Sequence, residues 1–475
     1  MSVKQLFLLS FLLLAGCTMG PDYKRPEIEL PETWQNILVN ADVEKENVEW
    51  WTHFEDEILI NLVNLVLNQN FDLKAAEASI LQNQQILEEA RSNLLPLVDL
   101  SVHTSKNELS KNYFNGGIRK YNFYGALPSI RWEIDVFGKL RRAKEGALAD
   151  LQAQVENSYG LFLSLVSNVA ESYISLRSAQ QRLETVLKLV QVYKKIYELT
   201  LELESSGLST GIDSENAKSA WESYEALVYP LETAIKRYIY SLGALTSQAP
   251  EALGTLLGSP RKIPTVSPTL FVGLPSDLLE RRPDIRKAEM VLASATAHIG
   301  FRKANFFPSF SLTGTLGVES YKASNLLSSN SLTYALGGGL NWHIFDFGRI
   351  KSQVLAAEAL ETQAYFNYRQ TILNALAEVE SSLVAYQNEH KRQERLKTAW
   401  HATKKAATLT KDRYKAGLLS QIAYFQIRVE VLNKTLDYLS SQEFLALNTV
   451  NLYKALGGGW EPYAQKILEQ DSNQA

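Results

Sequence analysis

Cysteine is almost absent: Cys17 is the single one in 475 residues, so no disulfide can form within the chain. There is no basic excess either. The 48 Lys and Arg stand against 52 Asp and Glu, a net charge of −4, which offers no basic face to nucleic acid and gives no reason to expect it as a partner. The six histidines, at 53, 103, 298, 343, 390 and 401, include no pair at the i, i+4 spacing that sets two metal ligands on one helix face. No His-Glu-x-x-His run and no Gly-rich phosphate loop occurs, so neither a metal nor a soluble cofactor is indicated. Proline is missing from 138–204 and again from 309–461, which leaves two very long stretches free to be helix.

One motif points to catalysis. Gly207-Leu208-Ser209-Thr210-Gly211 fits the Gly-x-Ser-x-Gly elbow of serine hydrolases. An elbow needs an apolar strand before it and a His and an acid to activate the hydroxyl. This one lies between polar helical runs, so no catalytic residue is assigned.

What is present is a duplication. "WEIDVFGK" (132–139) recurs as "WHIFDFGR" (342–349), shifted by 210. "DLKAAE" (72–77) pairs with "DIRKAE" (284–289) and "NLLP" (93–96) with "NFFP" (305–308), shifted by 212. The shift of 210 also carries Gly207 and Leu208 onto Gly417 and Leu418, and Ile212 onto Ile422. Each half is one structural unit. In the first, Phe162, Val166, Val169, Tyr173, Leu176, Leu183, Leu187 and Val190 follow the three-and-four spacing of a coiled-coil seam. The 67 residues of 138–204 make a helix of about 100 Å at about 1.5 Å per residue. Residues 349–415 repeat it. A shorter helical run returns after each glycine tip, to about Leu245 and Leu456.

Before each long helix the period drops to two. Phe310, Leu312, Leu316 and Val318 alternate with Ser309, Ser311, Thr313, Thr315 and Glu319; Tyr334, Leu336, Leu340 and Trp342 share a face; Val98, Leu100 and Val102 alternate with Asp99, Ser101 and His103. A fourth strand near 121–132 is interrupted by Pro128. Such strands suit a soluble sheet with one face on a core, or a membrane barrel. With a barrel, four strands cannot close alone and an open edge cannot face lipid, so several chains must share it. Two copies give eight strands and three give twelve; the strand count leaves both open.

The boundaries follow. Residues 1–16 carry Lys4, an apolar run from Leu6 to Ala15 too short to span a membrane as a helix, and small residues, and read as a signal peptide. Residues 17–50 are an extended tether, 51–247 the first repeat, 248–276 a Pro-rich linker, 277–459 the second repeat and 460–475 a tail; six of the 14 prolines lie between 250 and 283.

Two resemblances add to this reading. Leu14-Ala15-Gly16-Cys17 resembles the bacterial lipobox, which implies cleavage before Cys17, an S-diacylglycerol on its sulfur and an N-acyl chain; Thr18 in place of Asp favours the outer membrane by the same analogy. "CTMGPDYKRP", "EWWTHFEDE", "LLERRPDIRKAE", "KANFFPSFSLTG" and the paired W-x4-FG[KR] motifs resemble the lipoprotein branch of the TolC-type outer membrane factors, from Cys17 to about Gly459. The resemblance implies a mainly α fold with β, in which a homotrimer forms a twelve-stranded membrane β-barrel continuous with a twelve-helix periplasmic α-barrel. It implies a passive duct in a tripartite efflux pump, with a periplasmic adaptor and an inner membrane resistance-nodulation-division pump as partners. Type I protein secretion and metal efflux are alternatives on the same fold, and a pore-free coiled-coil lipoprotein is a rival outside it. Aligned on the two tip glycines, Asp213 and Tyr414 fall where a carboxylate and a tyrosine latch the gate, and Ile422 and Gln426 line it. The same resemblance makes Gly207, Leu208, Gly417 and Leu418 adaptor-docking tips. Asp213 is equally suited to be a helix cap. Leu419, Ala423 and Gln426 depart from the family's charged aperture, with Arg413 or Arg428 as substitutes for a missing latch arginine.

Overall fold

The structure, a computed structural model, describes residues 18–36, 49–112, 119–265 and 274–474. Cys17, the signal segment and parts of the tether and linker lie outside the described residues. In chain order, α1 (Glu57–Gln69) and α2 (Phe71–Ser92) lead into β1 (Leu97–Glu108) and β2 (Lys120–Ile134), followed by α3 (Lys139–Ser205), α4 (Gly211–Ala226) and α5 (Val228–Leu245). The single turns α6 (Gly254–Leu257) and α7 (Leu278–Arg281) precede α8 (Pro283–Lys303), β3 (Ser309–Ser320) and β4 (Leu332–Asn341); α9 (Arg349–Lys415), α10 (Gln421–Leu456) and α11 (Glu461–Gln474) complete the chain. Two compact units result, and each takes corresponding segments of both repeats: of the described residues, 18–27, 79–112, 119–155 and 287–370 form one, and 28–36, 49–78, 156–265, 274–286 and 371–474 the other.

The first unit holds the sheet, four antiparallel strands in the order β1-β2-β3-β4. Every strand joins a helix at the same end: β1 follows α2, β2 leads to α3, β3 follows α8, β4 leads to α9. Pro128 sits inside β2, opposite Leu100. Lacking an N–H, it is tolerated where pairing lapses, and the β2·β3 ladder skips Leu127 and Pro128. Beside the sheet, the start of the chain is clamped: Met19 N–H donates to the Phe137 carbonyl at 3.1 Å. Buried Arg142 donates to the carbonyls of Met19 (3.0 Å) and Gly20 (3.3 Å) and to Asp22 (2.7 Å).

The second unit has the larger core. Phe162, Val166, Val169, Tyr173 and Leu176 of α3 are fully buried, against Trp51 and the α11 residue Tyr463. Tyr173 donates to Asp56, which also caps α1 by accepting from the N–H groups of Ile58 and Leu59. The expected seam does not continue through Leu183, Leu187 and Val190. Val186, Leu189 and Val192 are buried instead, and Leu187 is 44% exposed. The seam rotates because its partner changes: Leu189 and Val192 pack on Phe425 and Val429 of α10. Leu183 and Leu187 line an open groove of about 1240 Å³ with Ile235 and Ile239 of α5. The expected tail holds the helix α11, packed at its start: Trp460 stacks on Tyr159 at 4.8 Å and Lys466 pairs with Glu77 at 3.1 Å.

The two return limbs differ for a legible reason. Pro230 cannot donate to the carbonyl four residues back, and the first limb breaks at Leu227 into α4 and α5. Ser440 occupies the matching position of the second limb, and α10 runs unbroken for 36 residues.

Candidate functional site: sheet face and helix tips

Ladder register sorts the strand side chains into two faces. Val98 lies opposite Ile130, Leu100 opposite Pro128 and Val102 opposite Ala126. Trp132 and Ile134 lie opposite Leu312 and Phe310, which in turn meet Gly338 and Leu340; Gly314 meets Leu336, and Leu316 meets Tyr334. One face is therefore apolar across all four strands, and it is uncovered: Val102 is 73% and Leu336 80% exposed. The opposite face carries Asp99, Ser101, His103, Ser129, Arg131 and Glu133, then Ser311, Thr313, Thr315 and Glu319. On it Arg131 pairs with Asp99 at 3.4 Å. Among the described residues, the outer edges of β1 and β4 have no strand partner. No described helix is long and apolar enough to cross a membrane, which says nothing against a barrel.

The helix tips lie in the other unit. α3 ends with Gly207 at φ +75° and α9 with Gly417 at φ +73°, a left-handed conformation that costs a glycine little. The closing bonds match. Gly207 N–H donates to Glu204 and Leu208 N–H to Leu203; Gly417 donates to Tyr414 and Leu418 to Arg413, all at 2.8–2.9 Å. This is the Schellman arrangement, made twice. Leu208, Ile212 and Leu418 are left pointing at solvent.

Asp213 acts locally at the first tip. Its Oδ2 accepts from the Thr210 N–H (3.1 Å), the Thr210 hydroxyl (2.7 Å) and the Ser209 hydroxyl (3.0 Å). These bonds, Thr210's foremost, hold its carboxyl below the usual aspartate range. Ser209 thus donates to a carboxylate at a helix start and has no histidine bonded to it. Tyr414 is elsewhere occupied within the chain: its ring stacks on Tyr424 at 4.9 Å with planes 4° apart. Asp213 and Tyr414 are not bonded to each other within the chain. Ile422 is half-buried and Gln426 exposed.

Sequence reasoning missed Tyr424, and the duplication held the signal. The positions of Tyr414 and Tyr424 correspond to Glu204 and Ser214 at the first tip, where the Ser214 hydroxyl donates to Glu204. Each hairpin is thus pinned across the same two positions, by a polar bond in one and by stacked rings in the other. Arg428 stands over the Tyr424 ring at 5.9 Å, a cation–π contact, while Arg413 lends its carbonyl to the Schellman bond.

Known proteins carry the same architecture. The nodulation protein T of Rhizobium leguminosarum bv. trifolii is 28% identical over 96% of this chain and 97% of its own. The outer membrane protein OprJ of Pseudomonas aeruginosa is 26% identical over 96% and 95%, and the cation efflux system protein CusC of Escherichia coli 29% over 95% and 97%. Among solved structures, the outer-membrane channel OprN superposes with a TM-score of 0.86 at 28% identity, covering 94% of this chain and all of that one. The Campylobacter jejuni CmeC outer membrane channel gives 0.86 at 25%, over 95% and 98%. The family model described as outer membrane efflux protein matches twice, at residues 62–246 and 274–458. Each match covers one repeat, with its hairpin, long helix and return limb, and the chain belongs to the outer membrane efflux protein family.

Proposed function

We propose that this chain is the passive outer membrane exit duct of a tripartite efflux pump. The observation that carries the reading is the sheet: one uncovered apolar face, one polar face and two unpaired edges. An apolar face of this breadth suits lipid, and in lipid every backbone group must be paired, so the edges must close on other copies. Three copies give a twelve-stranded barrel whose polar face lines water. The long helices continue the tube into the periplasm. An inner membrane resistance-nodulation-division pump supplies the energy, and a periplasmic adaptor seats on the tips at Gly207, Leu208, Gly417 and Leu418.

The gate lies at the same tips. Asp213 Oδ2 serves its own helix cap while Oδ1 accepts no hydrogen bond among the described residues, so the latch to Tyr414 runs between hairpins of adjoining copies. Ile422 and Gln426 narrow the aperture. An S-diacylglycerol and an N-acyl chain on Cys17 anchor the amino terminus, since two or more acyl chains hold stably where one does not. The Met19 and Arg142 clamp supports this by fixing the residues after Cys17 at the helical end of the sheet. A serine hydrolase is disfavoured by the bonding of Ser209.

The relatives' printed cargoes include toluene, antibiotics and cations, so drugs and other small toxic compounds are the proposed cargo class, with metal efflux or protein secretion as the second reading. Deleting the gene and profiling sensitivity to antibiotics, metals and detergents tests it. Heightened sensitivity that the wild-type and Ser209→Ala genes both reverse is expected; an unchanged profile throughout, or rescue lost with Ser209→Ala, overturns it.

A further inference from the structure

The duplication extends to contacts. The Trp132 indole donates to the Leu94 carbonyl at 2.9 Å, and the Trp342 indole to the Phe306 carbonyl at 3.0 Å; both pairs are related by the repeat. One contact breaks the match. At the end of β2, Phe137 stacks on Phe307 at 4.7 Å and lies 6.4 Å from Phe310, which locks the β2–β3 junction. Its counterpart after β4, Phe347, is 91% exposed and curls onto Phe345 at φ +56°. The counterparts of Phe307 and Phe310 are Leu95 and Val98 at the start of β1, and both are exposed. A knob and its socket thus lie at opposite edges of one sheet.

We propose that Phe347 seats on Leu95 and Val98 of the next copy of this chain, and that β4 pairs with the next copy's β1 in the register that β2 and β3 use within the chain. This rests on the closed-barrel reading above. The β2–β3 register pairs Ile134 with Phe310, Ile130 with Gly314 and Ala126 with Val318. Carried through the repeat, it pairs Ile344 with Val98, Leu340 with Val102 and Leu336 with Lys106 of the next copy. The first two pairs keep the apolar face continuous and the third sets Lys106 at the far end of that face, whereas a slip of one residue turns the face inside out. The same register explains why the strands differ in length. β2 has neighbours on both sides and runs to Ile134; β4 has one and stops at Asn341, short of Ile344. Pairing with a second β1 extends β4 through Ile344.

Cysteine cross-linking of the full-length protein in its own membrane tests this. Leu340→Cys with Val102→Cys gives a covalent ladder of two and three chains on oxidation. The slipped pairs Leu340→Cys with Leu100→Cys and with Thr104→Cys give about fivefold less, because diagonal neighbours exceed comfortable disulfide reach. Ala126→Cys with Val318→Cys reports folding by linking within one chain, and the single variants, which retain Cys17, report any linkage through that residue. Phe347→Ala and Leu95→Ala each lower the heat resistance of the assembly in detergent gels, and the double variant falls no further than the worse single. A ladder strongest at a slipped pair, or additive losses for the knob and socket, overturns the inference and leaves the closed barrel standing. No ladder at any pair while the internal control links overturns both.

Discussion

Single residues at the tips decide how the hairpins turn and close. Gly207 and Gly417 hold positive φ, and a β-branched residue there meets the left-handed penalty of about 1–2 kcal/mol. Gly207→Val is therefore expected to fray the first tip, seen as faster amide exchange over 203–213 with the sheet unaffected. The Asp213 carboxyl is held below its ordinary range by Thr210 and Ser209, so it remains ionised through neutral pH. Any closure it contributes is present above that depressed pKa and lost only in acid. Glu156 behaves oppositely: burial pushes its carboxyl up to about 7 although Arg286 lies 2.5 Å away. Its Oε2 has no hydrogen-bond partner among the described residues. The folded state binds the extra proton between the ordinary value of 4.5 and about 7, so stability is greatest below that window and falls as pH rises through it. Glu156→Gln should flatten the pH dependence of thermal unfolding across the same window; an unchanged slope would remove Glu156 as its source.

At the scale of elements, the sheet makes the sharpest demand. Leu336→Arg places a charge on the apolar face and should cost about 2–4 kcal/mol at the bilayer midplane, seen as lost membrane insertion. Thr315→Arg, on the polar face, should insert normally. Equal insertion of both would mean that the apolar face does not meet lipid. These faces were legible because strand side chains alternate with a period of two, and the expected strand at 309–319 appears as Ser309–Ser320. The long helices were equally plain, since the absence of proline leaves nothing to stop them: the expected 138–204 is Lys139–Ser205. Less was legible where the partner of a face had to be known. Leu183, Leu187 and Val190 obey the heptad, yet burial moves to Val186, Leu189 and Val192, the last two packed on α10. The Tyr414–Tyr424 stack escaped notice for the same reason: it joins two helices across a tip and leaves no periodic trace within either.

At the scale of the whole molecule, one unit is used twice within the chain, and the proposed assembly repeats it in further copies. Duplication gives each chain two hairpins and two long helices, yet among the described residues the outer edges of β1 and β4 are unpaired, Phe347 is exposed and Asp213 Oδ1 accepts no hydrogen bond. In the proposed assembly, closure on further copies meets all three at once. The central claim is that this tube conducts and that its tips close it. Single-channel recording of the purified assembly in planar bilayers tests it most directly. Low conductance for the wild type and a large, steady conductance for Asp213→Ala with Tyr414→Phe is the predicted result; assemblies that never conduct, even with both substitutions, would contradict it.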